Sequence, residues 1–158
     1  MSQTPKHRVS QIKAGAIRIE WAGQLAARQL HKEQLGDQIT ELAAHIHAAT
    51  FRLLELIREF DFCEGWAGAG VLSCAHWLNW KCGMAIGVAR ERVRIAHALK
   101  DLPKISQTFR KGKISYSKVR AITRVATPAN EAAALHLAKH ATAAQLERIG
   151  RGVKQVLA

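Results

Sequence analysis

No stretch of this chain stays apolar for the roughly 18–20 residues that a bilayer span requires. Its first residues, MSQTPKHRVSQIKAGAIRIEW, are basic but hold no apolar core, so they do not read as a secretory leader. These two absences predict a cytoplasmic protein with no membrane partner. Cysteine is scarce: Cys63, Cys74 and Cys82 are the only three. An odd number excludes complete internal pairing, and the reducing compartment predicts free thiols. Runs of β-branched residues are missing, while alanine, leucine, lysine and arginine abound, so helix is favoured throughout.

Acid is the scarcest class where it matters most. The chain has 24 Lys and Arg against 12 Asp and Glu, a formal charge of +12. Between residues 85 and 125 the basic residues are Arg90, Arg92, Arg94, Lys100, Lys104, Arg110, Lys111, Lys113, Lys118, Arg120 and Arg124, and the acidic ones are Glu91 and Asp101. Eleven minus two leaves +9 of the +12 in about a quarter of the chain. Charge so concentrated is what a surface meeting a polyanion would carry, and the basic balance alone does not choose between nucleic acid and an anionic membrane face.

At 158 residues the chain is one domain, or one domain with a tail. Residues 1–33 are weakly patterned. Ile17, Trp21, Leu25 and Leu30 could line one side of a marginal helix, which Gly15 and Gly23 weaken, and the segment reads as a poorly ordered lead-in. From Leu35 the pattern is firm: Leu35, Ile39, Leu42, Ile46, Ala49, Leu53, Leu56 and Phe60 alternate spacings of four and three. That heptad seam predicts a long helix over 34–60, either a core helix packed on its own domain or a dimerisation helix. Glycine breaks 61–71 into a loop that Trp66 would plug into the core.

Short punctuated helices follow. Ser73 would cap a helix over 73–81 in which Trp77, Leu78 and Trp80 are buried, and Gly83 would close it in a left-handed conformation. A helix over 85–100, with Ile86, Ala89, Val93 and Ala96 at helical spacing, stops before Pro103. Pro103 opens a helix to 111, which Gly112 ends. Ser115 caps a helix over 115–125 with Val119, Ile122 and Val125 inward and Lys118, Arg120 and Arg124 largely outward. Thr127-Pro128 opens another, with Thr127 as cap, Pro128 first and Glu131 in the first turn, running to about 141. Thr142 and Gln145 form a capping box for the last helix. That helix has Leu146, Ile149, Val153 and Val156 inward and Arg148, Arg151 and Lys154 outward.

The helices over 73–81 and 85–100, joined by Cys82-Gly83-Met84, make a candidate helix-turn-helix. Its second helix would offer Arg90, Arg94 and, to one side, Arg92 to phosphates or base edges. Lys111, Lys113, Lys118, Arg120 and Arg124 would add backbone contacts. Ser115, with Tyr116 at a helix N-terminus, would add one through free N–H groups. A metal site is disfavoured. Cys63, Cys74, His76 and Cys82 fall within twenty residues, but no Cys-x-x-Cys pair exists, and i, i+2 positions on a helix point about 200° apart. His136 and His140 are i, i+4 but lack a third ligand. No His-Glu-x-x-His, glycine-rich phosphate loop or nucleophile elbow appears, so no catalytic residue and no cofactor is expected.

Five stretches carry a resemblance: LGDQITELAAHIHAATFRLLELIREFD, GWAGAGVLSCAHWLNWKCGM, ARERVRIAHALKDLPKI, GKISYSKVRAITRVATPANE and ATAAQLERI. They lie between Leu35 and Ile149, a span of about three quarters of the chain, and resemble the domain of unknown function 222. This is a helical N-terminal region of bacterial proteins that carry an HNH endonuclease domain further on. The resemblance implies an all-helical fold, association with nuclease-type proteins and, in some bacteria, mobile elements. The HNH part would need a ββα-metal core with catalytic His and Asn. Here Asn79 and Asn130 are the only asparagines, so nuclease activity does not carry over, and the chain reads as the N-terminal half, truncated or naturally short.

The expectation is therefore an all-α, orthogonal multi-helix domain of about six helices. The 34–60 helix is its spine, after a lead-in over 1–33. Its expected function is non-catalytic DNA binding that positions a nuclease. The alternative is a protein-interaction or homodimerisation domain using the 35–60 seam, with the basic surface serving only solubility.

Overall fold

The computed structural model describes residues 5–68 and 70–157, with side-chain surroundings for 18–68 and 70–153. The fold is all-α and orthogonal. Among the described residues there are seven α-helices and one 3-10 helix: α1 Pro5–Phe62, α2 Cys74–Cys82, α3 Ile86–Ala98, the 3-10 turn Leu99–Asp101, α4 Pro103–Arg110, α5 Tyr116–Ile122, α6 Glu131–His140 and α7 Ala143–Leu157. The only β-type pairing described is a single bridge, Gly68 to Val71. No helix among the described residues is long and apolar enough to cross a membrane. The chain divides into two compact units, Met1–Leu42 and Ala43–Ala158.

The first unit corrects the expected lead-in. Helix begins at Pro5 rather than near residue 34 and stays unbroken to Phe62. An isolated helical glycine costs only about 1 kcal/mol, and the Ala, Leu, Gln, Arg and Lys around Gly23 favour helix. Trp21, Leu25, Leu30, Leu35, Ile39 and Leu42 are all exposed. The side chain of Ile17 lies outside the described residues, as do residues 1–4.

In the second unit the core is built on a different face of α1 from the seam. Phe51, Leu54 and Ile57 are buried, whereas Ile46 is 55% and Leu56 46% exposed. Residues 51 and 54 lie about 100° or more around a helix from 53 and 56, so α1 carries two adjacent apolar faces. The seam packs on the domain only in part: Leu53 and Phe60 lie partly buried against the core, while Ile46 and Leu56 stay exposed. Phe109 of α4 is fully buried against Phe51, ring centroids 5.8 Å apart at 76°. Such edge-to-face pairs add about 0.5–1.5 kcal/mol beyond burial. Ile95, Leu99, Leu102, Ile105, Val119, Ile122, Ala138 and Leu146 belong to the same core, with Cys74 and Leu78 of α2.

Local chemistry sets most boundaries. Ser73 Oγ accepts from His76 N at 3.1 Å, and Gly83 ends α2 at φ 65°. Trp66 packs against the core and donates Nε1–H to Asp61 Oδ1 at 2.9 Å, while Asp61 Oδ2 lies 2.6 Å from His97 Nε2. One carboxylate thus ties the loop to α3. Trp80, expected inside, is 63% exposed, with the Lys81 ammonium 3.8 Å from its ring centroid. Ile86 is also exposed, while Ala89 and Ala96 are buried.

Two helices near the C-terminus start or stop away from the expected place. α5 ends at Ile122, three residues early, where Thr123 turns its hydroxyl back to Val119 O at 2.8 Å. α6 begins at Glu131, because Thr127 and Asn130 bond each other reciprocally, Thr127 N to Asn130 Oδ1 at 2.7 Å and Asn130 N to Thr127 Oγ1 at 3.4 Å. The Thr-Pro pair therefore closes a turn rather than opening the helix. The Thr142–Gln145 capping box forms as expected, at 2.7 and 3.3 Å. Of the inner face of α7, Leu146 is buried but Ile149 and Val153 are not. The side chains of Lys154 and Val156 lie outside the described residues.

Candidate nucleic-acid interface

The basic residues gather where α3, α5 and α7 meet, around two glutamates. Glu91 of α3 accepts from Arg94 Nε at 3.0 Å and Nη2 at 2.9 Å, one turn along the same helix, and from Arg124 Nη2 at 2.7 Å. The Arg94 hydrogen bonds, aided by the charges of Arg94 and Arg124, hold its carboxyl below the usual range although burial opposes them. Glu147 of α7 pairs with Arg120 of α5. Arg92 of α3 lies over the Tyr116 ring, 5.1 Å from its centroid. Burial raises the Tyr116 phenol against the lowering pull of Arg92, Arg120 and Arg94. The Nε and Nη1 atoms of Arg92 are buried and find no acceptor among the described residues. Arg94, Arg120 and Arg124 thus pair with two carboxylates, Arg92 lies over Tyr116, and Arg151 lines a cavity with Glu147.

Not every expected contact residue is available. Arg94 also reaches Thr123 O at 3.4 Å, Arg120 O at 3.3 Å and Thr123 Oγ1 at 3.2 Å. It satisfies carbonyls at the C-terminal end of α5, where a cation also meets the favourable end of the helix dipole. With every nitrogen engaged it is a strut between α3 and α5, not a free reader. Lys118 turns to the end of α6, its ammonium donating to Ala138 O at 2.9 Å. Ser115 Oγ accepts from Lys118 N at 3.3 Å as the cap of α5. Arg110, outside the expected set, bonds Glu55 Oε1 at 2.7 Å and lies 5.0 Å over Phe51.

Of the remaining expected residues, Arg90 is exposed on α3 and Lys111 and Lys113 are exposed on the α4–α5 turn. That turn is pinned by Gly112, at φ 68°, where an added Cβ would collide with Ala44 O. The structure therefore links Arg92, Arg94, Arg120 and Arg124 through Glu91, Glu147 and Tyr116, while Arg90, Lys111, Lys113, Ser115 and Lys118 make none of these contacts. Sequence reasoning missed Arg151 and Glu147, which share a face of α7 at i, i+4. Together with Arg120, Arg124, Ala121 and Gly150 they line a cavity of about 340 Å³. Their spacing was readable, but the neighbouring helix was not.

Among the described residues no group of three or more His, Cys, Asp or Glu is arranged to hold a metal ion. The rings of His136 and His140 lie 4.8 Å apart on α6 without a third partner. All three cysteines are free thiols, Cys63 and Cys82 exposed and Cys74 buried.

No curated protein and no solved structure matches the chain. A family model does, over residues 33–158, and it bears the description Domain of unknown function (DUF222). With four fifths of the sequence covered by that match, the chain belongs to the DUF222 family.

Proposed function

We propose that this domain binds duplex DNA through phosphate contacts, performs no chemistry of its own and serves to hold an attached or associated nuclease on its substrate. The observation that supports the reading is the arginine cluster of α3, α5 and α7. Five guanidiniums against two carboxylates leave three uncompensated positive charges in one place. Like charges held this close repel one another, and a polyanion relieves the repulsion while releasing its own counterions. Exposed Arg90, Lys111 and Lys113 would extend the contact.

Fluorescence anisotropy of a labelled random duplex, from low to physiological salt, tests it. The expected result is binding that weakens linearly on a log–log salt plot, with a shallower slope in Arg124→Gln. Duplex binding that is absent even at low salt would remove the reading.

A second reading, self-association, is favoured by the uncovered apolar face of α1. In the second unit Ile46, Ala49, Leu53 and Leu56 keep the alternating three–four spacing that fits a like helix of another copy, and Ile46, Ala49 and Leu56 are exposed. Beside them Leu53, Leu56, Phe60, Trp77 and Cys82 line an apolar groove of about 520 Å³. Sedimentation would show a concentration-dependent mass that Leu56→Lys abolishes. A monomer at every concentration would exclude it.

A further inference from the structure

The cavity between α5 and α7 has a composition that fits one particular ligand charge. Arg120, Arg124 and Arg151 line it, with Glu147 on the same wall. Arg120 gives only Nη2 to Glu147, and Arg124 only Nη2 to Glu91. Each guanidinium therefore keeps Nε and Nη1 without a protein acceptor among the described residues, and Arg151 has no described hydrogen bond or ion pair. A guanidinium has two donor edges, so it can hold a carboxylate on one and an oxyanion on the other. Glu91 is already balanced by Arg94. The cavity wall is left with three arginines against Glu147, a surplus of two positive charges. Gly150 puts no side chain between Glu147 and Arg151, and the cavity is roomy enough for a tetrahedral anion.

We propose that this cavity is a discrete binding site for one terminal phosphate group, a phosphomonoester carrying close to two negative charges at neutral pH. Arg124 and Arg151 grip its oxygens and Glu147 acts as the competing internal anion. An internal phosphodiester, with one charge and both flanking oxygens esterified, matches the site less well. The inference deepens the nucleic-acid reading by naming a chain end as the source of the phosphate. The site itself rests only on the cavity.

The test uses inorganic phosphate as probe, titrated by calorimetry at constant ionic strength against chloride. Wild-type chain should saturate one-to-one. Arg151→Gln, which removes no described contact, should weaken binding at least fivefold with an unchanged melting curve, and Arg124→Gln, which also gives up the ion pair with Glu91, should weaken binding to a similar extent. Glu147→Gln, which still accepts from Arg120 but carries no charge, should bind severalfold more tightly, an effect that loss of packing would not produce. Absence of saturable binding, or equal binding by wild type and Arg151→Gln, overturns the proposal even if the duplex still binds. Saturation without any duplex binding overturns the DNA reading and leaves the site standing. Anisotropy of 5′-phosphorylated against 5′-hydroxyl duplex decides the source. Tighter binding of the phosphorylated duplex, lost in Arg151→Gln, supports a chain end. Equal affinity overturns the chain-end assignment, leaving small phosphate esters as the ligand.

Discussion

Glu131, the first residue of α6, buries its carboxylate at the start of α4, where Oε1 accepts from Ile105 N at 2.9 Å. One side chain thereby favours the dipole of its own helix and caps an orphan N–H of another. Glu131→Ala would leave that buried donor unpaired and should cost about 2–3 kcal/mol. Glu131→Gln retains an acceptor and should cost less. Urea unfolding of both variants measures the difference, and equal losses would mean that the hydrogen bond contributes nothing.

The α4–α5 turn lies against the backbone of α1 so closely that only glycine fits at 112. An Ala there meets Ala44 O and a left-handed φ at once. Gly112→Ala should destabilise by more than the roughly 1 kcal/mol of the backbone term alone. Gly23→Ala, with open space around its Cβ, should be neutral or stabilising. Thermal melts of the pair separate the two effects.

Arg90 and Arg94 share one helix but not one role. Arg94→Ala removes the tie between Glu91, Arg120 O and Thr123 and should cost about 1–3 kcal/mol. Arg90→Ala, at an exposed site, should stay within about 0.5 kcal/mol. Loss of DNA binding in an Arg94 variant therefore needs a melting curve beside it, whereas in an Arg90 variant it reads directly on contact.

Glu91 gives the fold an acid limit. Its folded pKa is lowered from the ordinary 4.5, so its stabilisation is full above that value. It is lost as pH falls through the lower folded one. Glu91→Gln should be less stable near neutrality and should show a flatter acid limb. An unchanged limb would place the acid sensitivity elsewhere.

Thiol chemistry should divide two to one. Cys63 and Cys82 are exposed and should react promptly with a maleimide at pH 8, while Cys74 should react only on unfolding. Burial, with Asp61 and Cys82 adding to it, pushes the Cys74 thiol from 9.0 to about 11. Between these values the unfolded chain releases a proton that the folded chain keeps, so stability should fall as pH rises through that window. Cys74→Ala should lessen this pH dependence, leaving the part that the raised Tyr116 phenol contributes.

Caps and stops were legible because their causes lie within a turn of chain. Ser73 with His76, Gly83, Pro103, and Thr142 with Gln145 each act on residues no more than four or five away, and each sits where its chemistry requires. The basic concentration was legible for the same reason, since it needs only counting.

What a side chain does with its charge was not. Arg94 finds Thr123 across 29 residues, Lys118 finds Ala138 across 20, and Glu131 finds Ile105 across 26. The spacing of Arg90 and Arg94 shows that they share a face and nothing about what that face meets. Likewise the α1 seam announced an apolar surface, but the rest of the fold packed chiefly on Phe51, Leu54 and Ile57 beside it and took up only Leu53 and Phe60 of the seam. The sequence by itself determined an all-α chain, most of its breaks and its excess of cations. Tertiary packing alone decided which arginines are struts, which stay open around a cavity, and which apolar stripe of α1 is left uncovered. The reason is that hydrogen-bond partners and burial are set by residues that folding, not sequence spacing, makes neighbours.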